Sequence, residues 1–63
     1  MNIKDLEGRY KNAYEFERET KMSHNNWTNW KEKGYIPILS QLRIEKLTGG
    51  DFVASLDDTP EGL

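Results

Sequence analysis

Cysteine is absent from this chain, which removes disulfide staples and thiolate metal sites together. One histidine, His24, cannot assemble a zinc cluster alone. Long apolar runs are missing as well: nothing approaches the roughly 20 residues that a membrane-spanning helix needs. The opening Met1-Asn2-Ile3-Lys4-Asp5 lacks the apolar centre of a signal peptide. A soluble, cytoplasmic location is the expectation. A chain of 63 residues is one small domain, near the size at which a hydrophobic core barely suffices. Added burial should therefore come from self-association or tight helix packing. Catalytic patterns are lacking too. Carboxylates are scattered over amphipathic stretches, no nucleophile–histidine–acid set occurs, and no glycine-rich phosphate loop precedes a helix. The reading is of a protein that is not an enzyme and uses no metal, cofactor or small-molecule substrate.

The net charge of −2 hides an uneven distribution. Residues 1–20 carry four basic and five acidic side chains. Residues 21–46 carry five basic (Lys21, Lys31, Lys33, Arg43, Lys46) and two acidic (Glu32, Glu45), and residues 47–63 carry four acidic and none basic. A positive middle is what phosphate contact requires, because fields between exposed charges act over about 10 Å in physiological salt.

Start and stop signals divide the chain into four short helices. Asn2 caps a first helix with Asp5 answering it three residues on, and Ile3, Leu6 and Tyr10 share a face. Gly8 should fray that helix early. Asn12 caps a second, with Glu15 repeating the reciprocal pattern and Ala13 and Phe16 pointing inward. Ser23 opens a third, and Gly34 ends it. Pro37 suits the first turn of a fourth, which runs to about Leu47. Ile38, Leu39, Leu42, Ile44 and Leu47 cover two arcs of that helix, as in a buried helix. After the break at Gly49-Gly50, residues 51–56 alternate like a short β-strand, expected to cover the second arc or to pair with its copy in a second subunit. The fold class is mainly α: four short helices, with helices two and three forming a helix-turn-helix, plus a short C-terminal β-strand at 51–56. The domain spans 1–56, and 57–63 is an acidic, flexible tail.

The third helix holds the chemistry. Trp27 and Trp30 share a side with Ser23 and Gly34, and in a chain with so little apolar mass they are core anchors rather than stacking platforms for single-stranded bases. The other side carries His24, Asn25, Thr28, Asn29 and Lys31. Asparagine and threonine are weak helix formers, so a merely solvated face would sooner use Glu, Lys or Gln. The cost in propensity points to a role. Amides bond adenine N6 and N7 bidentately, and hydroxyls reach either groove partner.

Two blocks in this region carry a family likeness. Trp30-Lys31 through Gly34, Ile36 and Pro37 form one, and Ile44-Glu45, Leu47-Thr48 and Gly50 form the other. Together, over about residues 10–50, the chain resembles the small Cro-like repressors of temperate bacteriophages. It departs from their pattern at Glu17, where a small residue is usual, at Thr20, where leucine is usual, and at Lys21, where glycine is usual. A wetter contact between helices two and three is expected there. The resemblance implies a phage or prophage transcriptional regulator in a bacterial host cell, bound to double-stranded operator DNA as a homodimer. Helix three, about 24–33, would enter the major groove. His24, Asn25, Thr28 and Asn29 would read bases, and Asn12, Lys21, Lys31 and Lys33 would hold phosphates. The alternative is a small phage-type inhibitor or antitoxin-like adaptor that binds another protein through helix four and the C-terminal strand.

Overall fold

The computed structural model describes residues 1–60. Four helices follow one another: α1 Ile3–Arg9, α2 Ala13–Thr20, α3 His24–Lys33 and α4 Ile38–Leu47, with a single 3₁₀ turn at Leu56–Asp58. The mainly helical architecture matches the sequence expectation. Each of the first three starts is built by the side chain foreseen for it. Asn2 and Asp5 exchange both bonds of a capping box, at 3.1 and 2.9 Å. Asn12 Oδ1 accepts from the Glu15 amide at 3.0 Å, but Glu15 returns no bond, so the second start is only half of the expected box. Ser23 Oγ accepts from the Asn25 amide at 3.2 Å. Gly8 does not fray α1, which continues to Arg9 and closes with the Tyr10 amide donating to the Leu6 carbonyl.

The core forms where the three capped helices converge. Leu6 from α1, Tyr10 immediately after it, Phe16 from α2, Trp27 and Trp30 from α3, and Ile44 from α4 are all buried, with Met1, Met22 and Ile36 closing the edges. Phe16 is the hub: its ring lies 5.6 Å from Tyr10, 5.5 Å from Trp27 and 5.7 Å from Trp30, between centroids. Three aromatic contacts at these spacings add to plain area burial. Tyr10 brings one defect, since its hydroxyl is buried without a hydrogen-bond partner among the described residues. The nearby Arg9 guanidinium directs its N–H groups to Glu19 and Asp51 instead. Burial holds the phenol above the usual tyrosine range, with the Glu19 carboxylate adding to the effect.

Three residues, 21–23, turn the chain from α2 into α3. Lys21 sits there in the left-handed region, at φ 64° and ψ 9°. The backbone thus adopts the conformation glycine favours while carrying a lysine, at a cost of about 1–2 kcal/mol. Its neighbours hold it. The buried Thr20 hydroxyl donates to the Phe16 carbonyl at 2.8 Å and accepts from the Met22 amide at 3.2 Å, and Met22 inserts into the core. At the other end of α3, Gly34 adopts φ 85° and its amide closes on the Trp30 carbonyl.

The strand expected at 51–56 is not formed, and the described residues contain no strand. The backbone of this segment spends its hydrogen bonds elsewhere. The Ala54 amide donates to Glu45 Oε1 at 2.7 Å and the Ser55 amide to Gln41 Oε1 at 2.8 Å. The Val53 carbonyl accepts from the Met1 ammonium at 3.1 Å. Once side chains of α4 satisfy these groups, no ladder partner is needed. The alternation is used differently: Phe52 tilts against Tyr10, with 6.2 Å between ring centroids, while Val53 and Leu56 stay exposed.

This segment lies along the Gln41–Glu45 side of α4 and leaves the helix's other arc open. Leu39 is 78% exposed, and Leu42 and Leu47 are each about half exposed. The fully buried helix expected there is therefore an amphipathic one with a bare leucine face that also bears the exposed Arg43 and Lys46. In the stretch assigned to a tail, Asp58 pairs with the Met1 ammonium at 2.8 Å, and residues 61–63 lie outside the described residues.

Candidate functional site

The polar side of α3 is presented to solvent because the opposite side is nailed to the core. Trp27 and Trp30, three residues apart, fix the rotation of the helix. Asn25, Thr28 and Asn29 then stand exposed, and among the described residues none of their side chains makes a hydrogen bond to the protein. Two amides and a hydroxyl are thus displayed on one rigid element without internal use. Glu32 is exposed among them and makes no ion pair with a described residue.

The remaining members of the expected set divide. Lys33 is exposed, with its ammonium 6.0 Å from the Tyr35 ring centroid. Lys21 projects from the strained turn at the mouth of a shallow depression shared with Tyr14, Glu17 and Arg18. Lys31 lies toward α1, where Glu7 approaches to 3.7 Å. Both partners are about half exposed, so this pair is weakly held and exchangeable. Asn12 stands at the start of α2 with its carbonyl committed to the cap, leaving its NH₂ group to donate outward.

His24 is the least free of them. Glu17 Oε2 accepts from its backbone amide at 2.6 Å and lies 3.0 Å from its ring Nδ1. Tyr14, one turn before Glu17 on α2, tilts over the imidazole with 4.8 Å between centroids. The bond from the His24 amide, and then the one from its ring, hold the Glu17 carboxyl below the usual glutamate range. The contact therefore contributes fully above the usual glutamate range, and its contribution is lost as pH falls below that range through the lowered value.

Glu17, Tyr14 and Arg18 are the residues that reading the sequence for this site missed. The available signal was Glu17 itself, a charged side chain where the resemblance to Cro-like repressors implied a small one. Instead of spoiling the α2–α3 contact, it reaches seven residues on to cap α3. The wetter contact expected there takes this form: a half-exposed carboxylate bridging the two helices beside a buried aromatic core.

Chemically, the surface offers donors, acceptors and cations on rigid supports, and no metal-ligand cluster occurs among the described residues. No described helix is long and apolar enough to cross a membrane. Comparison with known protein families, with curated proteins and with solved structures finds no match.

Proposed function

We propose that this chain binds double-stranded DNA sequence-specifically, with α2, the turn 21–23 and α3 acting as a helix-turn-helix and α3 seated in the major groove. The observation that carries this reading is the row Asn25, Thr28 and Asn29. These side chains are exposed, uncommitted, costly in helix propensity, and set opposite two buried tryptophans. Amides and hydroxyls of this kind discriminate base edges. Lys21, Lys31, Lys33 and the Asn12 amide surround the row and supply phosphate contacts, which position the helix without specifying sequence. The likeness of residues 10–50 to Cro-like repressors supports the same role, that of a small phage or prophage transcriptional regulator.

One short helix reads few base pairs, so the functional unit proposed is a homodimer on paired half-sites. With 51–56 folded onto its own α4 instead of forming a strand, the open leucine face of α4 is the surface we assign to the contact. That same face also favours a second reading, an adaptor that docks on another protein through Leu39, Leu42 and Leu47. Salt separates the two: phosphate contacts weaken steeply as salt rises, and an apolar interface does not.

Selection from randomised duplexes at low salt is the test, and an enriched motif is the expected result. Recovery of no motif would overturn the proposal. Within that motif, Asn29→Ala should cost about 1–3 kcal/mol at one base pair and relax its specificity.

A further inference from the structure

His24 opens α3, where the N-terminal residues of a groove-seated helix meet base edges. Its ring is more constrained than those of its neighbours. An ionised carboxylate only accepts hydrogen bonds. Glu17 Oε2, 3.0 Å from Nδ1, therefore requires the hydrogen to sit on Nδ1 whether the ring is neutral or charged. The same oxygen holds the backbone amide of His24 at 2.6 Å, so the carboxylate cannot swing away without uncapping the helix. Tyr14, itself 64% exposed, covers one side of the ring instead of packing in the core. The other ring nitrogen, Nε2, has no hydrogen-bond partner among the described residues, and the side chain is 38% exposed. A neutral ring with its proton fixed on Nδ1 offers Nε2 as a bare acceptor.

We propose that Glu17 sets the tautomer of His24 and thereby makes His24 Nε2 the reader of an exocyclic amino group, adenine N6 or cytosine N4, with the preference passing to guanine when the ring is protonated. This rests on the DNA-binding reading above. In the major groove only adenine and cytosine present an amino donor, whereas guanine presents N7 and O6 as acceptors. Protonation turns Nε2 from acceptor into donor and inverts the choice. The titratable groups in contact with the ring are Tyr14 and Glu17 from α2, and Arg18 and Lys21 share a surface depression with those two. Within the first turn of α3 itself, the neighbours Asn25, Asn26 and Trp27 are uncharged. Glu17 is a positioning residue here: it acts on the base only through the imidazole.

Because His24 is the sole histidine, its ring nitrogens give unique signals in long-range proton–nitrogen NMR of the full chain. The expected spectrum of the neutral ring has hydrogen on Nδ1, and Glu17→Ala should lose that preference. Glu17→Leu, which keeps much of the side chain's bulk but has no acceptor oxygen, provides the same comparison should the alanine variant not fold. A neutral ring with hydrogen on Nε2 in the unaltered chain would overturn the proposal. Duplex selection is then run at two pH values at which the same spectra show the ring neutral and charged. One position of the motif should pass from adenine or cytosine to guanine, by about three- to tenfold, the value of a single hydrogen bond. His24→Gln should keep the rest of the motif and lose the change. A motif identical at both pH values removes this inference and leaves the DNA-binding reading intact. No motif at either pH removes both.

Discussion

Gln41 is the polar residue on which the closure of this fold turns, and replacing it with leucine gives the sharpest test of the packing. Its side chain is fully buried in α4. Nε2 donates to the Ile36 carbonyl at 2.8 Å, while Oε1 accepts from the Ser55 amide at 2.8 Å and the Met1 ammonium at 2.9 Å. Leucine has nearly the same volume, so no sizeable cavity is expected and the cavity term is small. The loss is one of hydrogen bonds. A buried backbone group deprived of its partner costs about 1–3 kcal/mol, so the Ile36 carbonyl and the Ser55 amide together cost about 2–6 kcal/mol. Extra apolar burial by the leucine offsets about 1 kcal/mol of this. A domain of this size has a total stability of about 3–9 kcal/mol, so the variant should lose roughly half of it. Urea unfolding followed by circular dichroism measures the difference, with the slope checked for unchanged exposed area. The control is Leu39→Gln on the open arc, which should stay within about 0.5 kcal/mol of the parent. A Gln41→Leu protein as stable as the parent would refute the assignment of these contacts as structural ties.

Tyr10→Phe should act in the opposite direction. Removing an orphaned buried hydroxyl while keeping the ring against Phe16 and Trp27 should raise stability by about 1 kcal/mol. In a domain this small that lifts the melting temperature by about 4–8 °C, and a lower melting temperature would show that the hydroxyl has a partner. Glu17→Gln should flatten the acid limb of the stability curve. Because the His24 amide and ring hold the carboxyl low, the parent's Glu17 contact contributes fully above the ordinary glutamate range and is lost only as pH falls below that range through the lowered value. Superimposable pH profiles of parent and variant would contradict that cause.

What was legible in the sequence was local. Asn2, Asn12 and Ser23 announce helix starts because a short polar side chain satisfies amides two or three residues away. Gly34 announces a stop because its left-handed conformation is nearly free of cost for glycine alone. Trp27 and Trp30 fixed which side of the third helix faces inward, and the uncommitted row opposite them followed. The misreadings involve partners distant along the chain. Alternation in 51–56 does not reveal that Glu45 and Gln41 will take its amides. Arcs on α4 do not reveal which one the rest of the chain will reach. Glu17 looked like a disturbance of the α2–α3 contact because pattern reading assigns charge to solvent, and the carboxylate instead finds two donors at the start of the next helix. Lys21 is a further case: a lysine there holds the left-handed conformation that glycine favours.

The seating of the two tryptophans also separates two kinds of optical signal. Both indoles are buried on the core side of α3, against Phe16 and away from Asn25, Thr28 and Asn29. Their emission should be blue-shifted and poorly accessible to a soluble quencher while the chain is folded, and should move to the red when α3 comes off the core. An occupant of the polar side should leave the indoles' surroundings unchanged. The protein thus carries an intrinsic fluorophore that reports whether the helix is seated and is blind to what the helix touches.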